Sequence, residues 1–274
     1  MKKIISLALA AALALSLAAC SSSNSDSTQE PEDSKKIVVG ASPSPHAEIL
    51  ERAKPLLREK GYELEIVEFT DYVIPNTSLE AGELDANFFQ HTPYLDSFNE
   101  ERGTHIVSVV KIHFEPLGIY PGKSDDLANI PDGATIAVPN DTSNEARSLL
   151  LLESLGIITL KEDAGLKATA LDIVENPHNI TILEVEAPQT VNVLADVDFA
   201  VVNGNYAVSA GILDTALASE SSEGIVPETY GNIIAVREGD ENSEKTLALV
   251  EVLTSDEIRN FINEKYAGLF VPVF

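Results

Sequence analysis

Ile136-Ala137-Val138-Pro139-Asn140-Asp141-Thr142-Ser143-Asn144-Glu145-Ala146-Arg147 reads as strand, turn and helix start in a single run. Three apolar residues lead into Pro139, which has no N–H with which to continue a ladder. Thr142 and Glu145 stand three apart ahead of Ala146, Leu149 and Leu150, the spacing of a capping box. Arg147 then falls in the first or second helical turn, near free N–H groups and the positive end of the dipole. A guanidinium there suits a carboxylate, gripped by its fork of donors. The competing reading is an exposed pair with Glu145 or Glu153, worth about 0–1 kcal/mol.

Outward from this unit, strands and helices alternate along the chain, which predicts an α/β fold with mainly parallel sheets covered by helices. Lys36–Ser42 is a strand closing on Gly40. His46–Lys60 is a helix with Ile49, Ala53, Leu56 and Leu57 on one face, and Pro55 is expected to kink or split it. Leu64–Phe69 alternates as a strand, Gly82–His91 reads as another, and Thr92 or Pro93 opens a helix to Glu101. His105–Tyr120 is extended and longer than a usual strand of about 5–6 residues, so it is expected to leave one lobe for a second, with Pro121–Ser124 marking the crossing. The second lobe takes strands at Thr135–Val138, Ile180–Val185 and Phe199–Val202, and helices at Glu145–Leu155, Asp163–Val174 and part of Ala207–Leu217. Gly231–Arg237 is a strand, and Ser243–Leu253 and Ser255–Lys265 are helices that return to the first lobe. The expected boundaries are residues 36–120 and 229–274 for the first lobe and 121–228 for the second.

Polar residues gather where strands end: Asn87–His91, Asn140–Arg147 and Asn203-Gly204-Asn205-Tyr206. The carboxyl ends of strands in open α/β sheets face the ligand crevice, and interlobe clefts are frequent small-molecule sites. One Arg, several Asn and the aromatics Tyr72, Phe88, Phe89, Tyr94 and Phe114 suit a zwitterion with an apolar side chain, an amino acid. Phe88 and Phe89 face opposite ways in a strand, and Phe89 shares its face with His91. His46, His105 and His178 read as surface or capping residues. His91 and His113 lack the spacing of a metal motif, so no metal or cofactor is expected. His113 and Glu115 share a strand face, as a structural hydrogen bond or an acid–base pair. No nucleophile elbow, P-loop or dinucleotide fingerprint occurs, so nothing calls for catalysis.

The flanks and composition set the location. Lys2 and Lys3 precede an apolar stretch from Ile4 to Ala19, too short for a span of about 20 residues and suited to a signal peptide over residues 1–19. Leu17-Ala18-Ala19-Cys20 has the lipobox pattern, which implies cleavage before Cys20 and a diacylglycerol on its sulfur. Cys20 is the only cysteine, so no disulfide holds the fold. Residues 20–35 are polar and read as a flexible tether. With 44 acidic against 18 basic residues, the chain lacks the basic footprint that nucleic acid demands. The same charge argues against electrostatic attachment to an anionic bilayer, leaving the lipid as the anchor.

Gly82-Glu83-Leu84-Asp85-Ala86-Asn87-Phe88-Phe89-Gln90-His91 followed by Pro93-Tyr94-Leu95 resembles the signature of the methionine-binding lipoproteins of the NlpA/MetQ family. Glu115–Tyr120, Pro139–Asp141 with Ser143–Glu145, Asp172–Pro177 and Val202–Ala207 also resemble its motifs. The resemblance runs from about Lys36 to Phe274. It implies a two-lobe, periplasmic-binding-protein-like (type II-like) fold with a ligand cleft between the lobes. It further implies a lipid-anchored, extracytoplasmic substrate-binding protein that delivers methionine to the permease and ATPase of an ABC importer. By resemblance, Arg147 holds the α-carboxylate with Asn144 in support, Asn203 and Asn232 hold the amino and carboxylate ends, and Tyr72, Phe89, His91, Tyr94 and His113 wall the thioether. Thr92 and Leu117 stand where the family often has a basic or bulky residue and Met. L- or D-methionine, a methionine-containing dipeptide or another amino acid all remain open as ligands, and a surface adhesin is the alternative of another class.

Overall fold

The computed structural model describes residues 35–274, so the expected signal peptide, Cys20 and the expected tether up to Ser34 lie outside the described residues. In chain order the strands of the first part are β1 (Lys36–Ala41), β2 (Glu63–Glu68), β3 (Ala86–His91) and β4 (Ile106–Phe114). They are followed by β5 (Gly118–Pro121), β6 (Thr135–Pro139), the short β7 (Thr159–Leu160) and β8 (Ile173–Glu175), β9 (Thr181–Val185), β10 (Phe199–Val202) and β11 (Ala218–Ser219). β12 (Asn232–Arg237) and β13 (Val271–Pro272) complete the set. One sheet has the order β13-β4-β12-β3-β1-β2 and the other β11-β5-β10-β6-β9, so the molecule has two α/β lobes.

The first crossing lies at Glu115–Leu117, upstream of the expected Pro121–Ser124, because β5 already pairs with β10 in the second sheet. The chain returns between β11 and β12. The sheets are mixed rather than mainly parallel: β1 runs parallel to β2 and β3, but β12 is antiparallel to both β3 and β4. Direction explains this. β3 and β4 end at the cleft, whereas β12 arrives from the other lobe and must start there, so Asn232 sits opposite both His91 and His113.

The helices are α1 (Glu48–Glu59), α2 (Ile74–Glu80), α3 (Thr92–Arg102), α4 (Thr142–Ser154), α5 (Gln189–Asn192), α6 (Gly204–Ser209), α7 (Ile225–Tyr230), α8 (Glu244–Leu253) and α9 (Asp256–Tyr266). Each sheet is covered on both faces. Alternate residues of β12 divide between them: Ile234 and Val236 join Leu50, Leu57, Val252 and Ile262, while Ile233 and Ala235 join Leu79, Leu95 and Ile106. The second lobe has its own core of Ile136, Val138, Leu149, Leu152, Phe199 and Val201. Each such side chain contributes about 1.5–3 kcal/mol by leaving water.

Three local expectations are corrected. α1 runs unbroken through Pro55, which lies with Glu51 on the exposed face where water meets the carbonyl left without a donor. Asp163–Val174 is not a helix but two 3₁₀ turns, Gly165–Lys167 and Ala170–Asp172, leading into β8; Gly165 has φ 57°, which a helix does not admit. The helix carrying Arg147 is capped by Asp141, whose carboxylate accepts the Asn144 N–H at 3.0 Å, and Thr142 is its first residue. A capping box does form, at Thr169 and Asp172.

Candidate functional site

Between the lobes lies a partly enclosed cavity, a placement common for small-molecule pockets. Tyr72, Phe89, His91, Tyr94 and Asn232 face it from the first lobe, and Asn144, Arg147 and Asn203 from the second. His113 does not line it. Its ring is fully buried one layer behind, with Nε2 2.7 Å from Glu115 Oε1 and its edge toward Phe88. Gln90, Glu115, Gly204 and Asn205 complete the lining.

The aromatic wall follows from strand alternation and one helix turn. Phe89 points to the cavity while Phe88 packs in the core. Tyr72 lies 5.8 Å from Phe89 and 5.6 Å from Tyr94 between ring centroids. Both hydroxyls are engaged: Tyr94 donates to the Tyr72 carbonyl at 2.9 Å, and Tyr72 donates across the cleft to Asn205 Oδ1 at 2.6 Å. The ring bodies are therefore what these residues offer a ligand.

The polar wall is a directional chain. Asn144 Nδ2 donates to both Asp141 oxygens, at 2.9 and 3.0 Å, so its Oδ1 is an acceptor. That oxygen receives Asn203 Nδ2 at 3.0 Å and His91 Nε2 at 3.2 Å. Asn203 Oδ1 is consequently buried with no hydrogen-bond partner among the described residues. His91 Nδ1 accepts the Tyr94 N–H at 3.2 Å, which fixes the proton on Nε2. Burial, then the Arg147 charge, push the His91 pKa down to about 3, so the ring is neutral and works as cap of α3 and tie between lobes.

Asn232 is oriented from behind. Its Oδ1 is 3.0 Å from His46 Nε2, which places Asn232 Nδ2 as a donor toward the cavity. His46 is thus no surface residue: it is 1% exposed, and its pKa is pushed down to about 4, chiefly by burial. The adjacency of Pro45 gave no sign of this; only β12 returning beside His46 creates it.

His46, His113 and Glu115 bring three metal-type groups together. Both Nε2 atoms approach the same Glu115 oxygen, at 3.2 and 2.7 Å, and both Nδ1 atoms are buried without partners among the described residues. A metal on the Nε2 atoms would move each proton to an Nδ1 with no acceptor, against the usual outer-shell support of ligating histidines. The donor set fits a hydrogen-bonded cluster around Glu115, whose own pKa is raised by burial. Gly204 seats this cluster against the cavity, since a Cβ there would lie 2.9 Å from Glu115 Cβ.

Arg147 is 3% exposed, and its fork is already filled. Nε and Nη2 reach the two oxygens of Glu220 at 2.8 and 2.5 Å, and Nη2 also donates to the Glu115 carbonyl at 2.9 Å. The Tyr230 ring centre lies 4.3 Å from the guanidinium carbon. Only Nη1 makes no hydrogen bond among the described residues. Glu220 thus occupies the side of the fork formed by Nε and Nη2. Glu220 and Tyr230 escaped sequence reading, because Ser219–Gly224 reads as a solvated acidic turn and nothing in it points at Arg147.

Two α/β lobes joined by two crossings and shut over a polar–aromatic cavity are the architecture of two-lobe substrate-binding proteins. The chain belongs to the NlpA lipoprotein family, which it matches over residues 37–274. It is 41% identical over 245 residues to the methionine-binding lipoprotein MetQ of Bacillus subtilis, covering 87% of this chain and 88% of that one. A lipoprotein of Ruminococcus gnavus superposes with TM-score 0.86 at 55% identity, covering 88% of this chain and all of the other. A nutrient-binding protein from Burkholderia cenocepacia, solved bound to methionine, superposes with TM-score 0.83 at 43% identity, covering 87% of this chain and 100% of its own.

Proposed function

We propose that this protein is the lipid-anchored, extracytoplasmic substrate-binding component of an ABC importer and that it carries methionine. The observation that carries the reading is that three lining residues keep polar atoms without a hydrogen bond among the described residues: the donors Arg147 Nη1 and Asn232 Nδ2, and the buried acceptor Asn203 Oδ1. Two donors and one acceptor complement an α-carboxylate and an α-ammonium. The rings of Tyr72, Phe89 and Tyr94 give the thioether an apolar, polarisable surface. The methionine-binding relatives support the same ligand. Diacylation of Cys20 would hold the protein at the membrane, with residues 20–35 as tether, and closure of the lobes would present the loaded form to the permease.

Calorimetry on protein unfolded and refolded to strip carried-over ligand tests this with L-methionine, D-methionine and glycyl-methionine. Tight one-to-one binding of methionine is expected, with a negative heat-capacity change from apolar burial. Absence of binding by all three would remove the ligand assignment.

A further inference from the structure

The guanidinium facing the cavity has a countercharge supplied by the protein itself. Glu220 meets it through two bonds, and the paired side chains are 4% and 8% exposed. Glu220 is itself held: its Oε2 accepts the Leu117 N–H at 2.8 Å, and its own N–H donates to the Leu117 carbonyl at 3.0 Å. Leu117 lies on the first crossing and Glu220 on the return, so swinging the carboxylate aside would break its bond to the Leu117 N–H as well as those to Arg147. A second carboxylate, Glu115, lines the same cavity.

We propose that Glu220 is a specificity-determining residue: by neutralising Arg147 in place, it makes the cavity accept a zwitterion and reject the same molecule without its amino group. The inference rests on the amino-acid reading of the cavity. A carboxylic acid entering this site gains one hydrogen bond at Nη1 but brings an uncompensated negative charge beside Glu220 and Glu115, in surroundings where water no longer screens it. It also leaves Asn203 Oδ1 without a donor. A zwitterion brings no net charge and supplies that donor. Discrimination thus comes from a built-in repulsion as much as from attraction.

The test is calorimetry with methionine and with 4-(methylsulfanyl)butanoate, its des-amino counterpart, on the wild type and on Glu220→Gln. The wild type is expected to bind the acid at least 100-fold more weakly than methionine. In Glu220→Gln, which keeps the shape and removes the charge, the ratio should narrow at least tenfold and the acid should bind more tightly in absolute terms. An equal loss for both ligands would reduce Glu220 to a support for Arg147 and overturn the proposal. Should that variant not fold, the wild type decides alone with 3-(methylsulfanyl)propan-1-amine, the des-carboxy counterpart: the amine must bind at least as tightly as the acid, and the reverse order overturns the proposal. If methionine itself does not bind, the functional reading fails, and the same comparison on whichever amino acid does bind still tests Glu220, since it concerns the backbone charges of the ligand alone.

Discussion

The two walls of the cavity are built by different physics. The first-lobe wall of Tyr72, Phe89 and Tyr94 is held by packing, and its hydroxyls are spent on the protein. The second-lobe wall of Asn144, Arg147 and Asn203 is held by a chain of bonds in which each partner fixes the direction of the next. Packing tolerates small adjustments and is broadly selective, whereas a chain of donors and acceptors fails at once when a link is removed. The difference assigns shape chiefly to the first lobe and charge recognition chiefly to the second, with Asn232 the first lobe's polar contribution.

The strongest way to break the polar wall is Arg147→Ala. It leaves Glu220 buried without a countercharge, so unfolding by urea should show a loss of about 3–5 kcal/mol, with binding abolished. A variant as stable as the wild type would mean that Glu220 reaches water. The matching cut in the aromatic wall is Phe89→Ala, expected to lower stability by about 3 kcal/mol and to weaken apolar ligands while leaving the zwitterion preference intact. A changed preference would show that the two walls are not separable.

Acid sharpens the comparison through the imidazoles behind the walls. His46, His91 and His113 have folded pKa values pushed down from 6.5 to about 4, about 3 and about 3, so the unfolded chain takes up their protons first as pH falls. Their contribution is whole above pH 6.5 and is lost progressively below it, by about 2 kcal/mol per imidazole at pH 5. Glu115 and Asp141, raised by burial, act in the opposite sense and blunt the decline. Urea midpoints from pH 7 to 5 should fall, and His113→Gln should flatten the slope; an unchanged slope would place that proton elsewhere. Asn203→Ala removes the unpaired acceptor together with the buried bond to Asn144, and should weaken methionine by about 1–2 kcal/mol and lower stability by about 1 kcal/mol, as read by calorimetry and melting. The smallest effect is expected from Tyr72→Phe, which deletes one bond across the cleft and should reduce affinity by about 1 kcal/mol through faster ligand release.

Legibility followed the range of the interaction. The α4 unit, the strand-end placement of Asn203 and the outward turn of Phe89 beside Phe88 were readable, because period and local turn chemistry act over a few residues. Asp141 in place of Thr142 as cap was a choice between neighbours that the helix geometry made. His46, expected at the surface, and His113, expected at the wall, were misplaced because each is defined by β12, which lies more than a hundred residues away in sequence and beside them in space.

By itself the sequence determined the alternation of elements, the two-lobe class, the arginine at the start of α4 and the aromatic complement, since these depend on local pattern and composition. The tertiary structure alone decided that Glu220 occupies the guanidinium's fork, that Asn203 faces the cavity through its oxygen and that Asn232 faces it through its nitrogen. Hydrogen-bond direction is set by the partner of a partner, and those partners meet only when both crossings bring the lobes together.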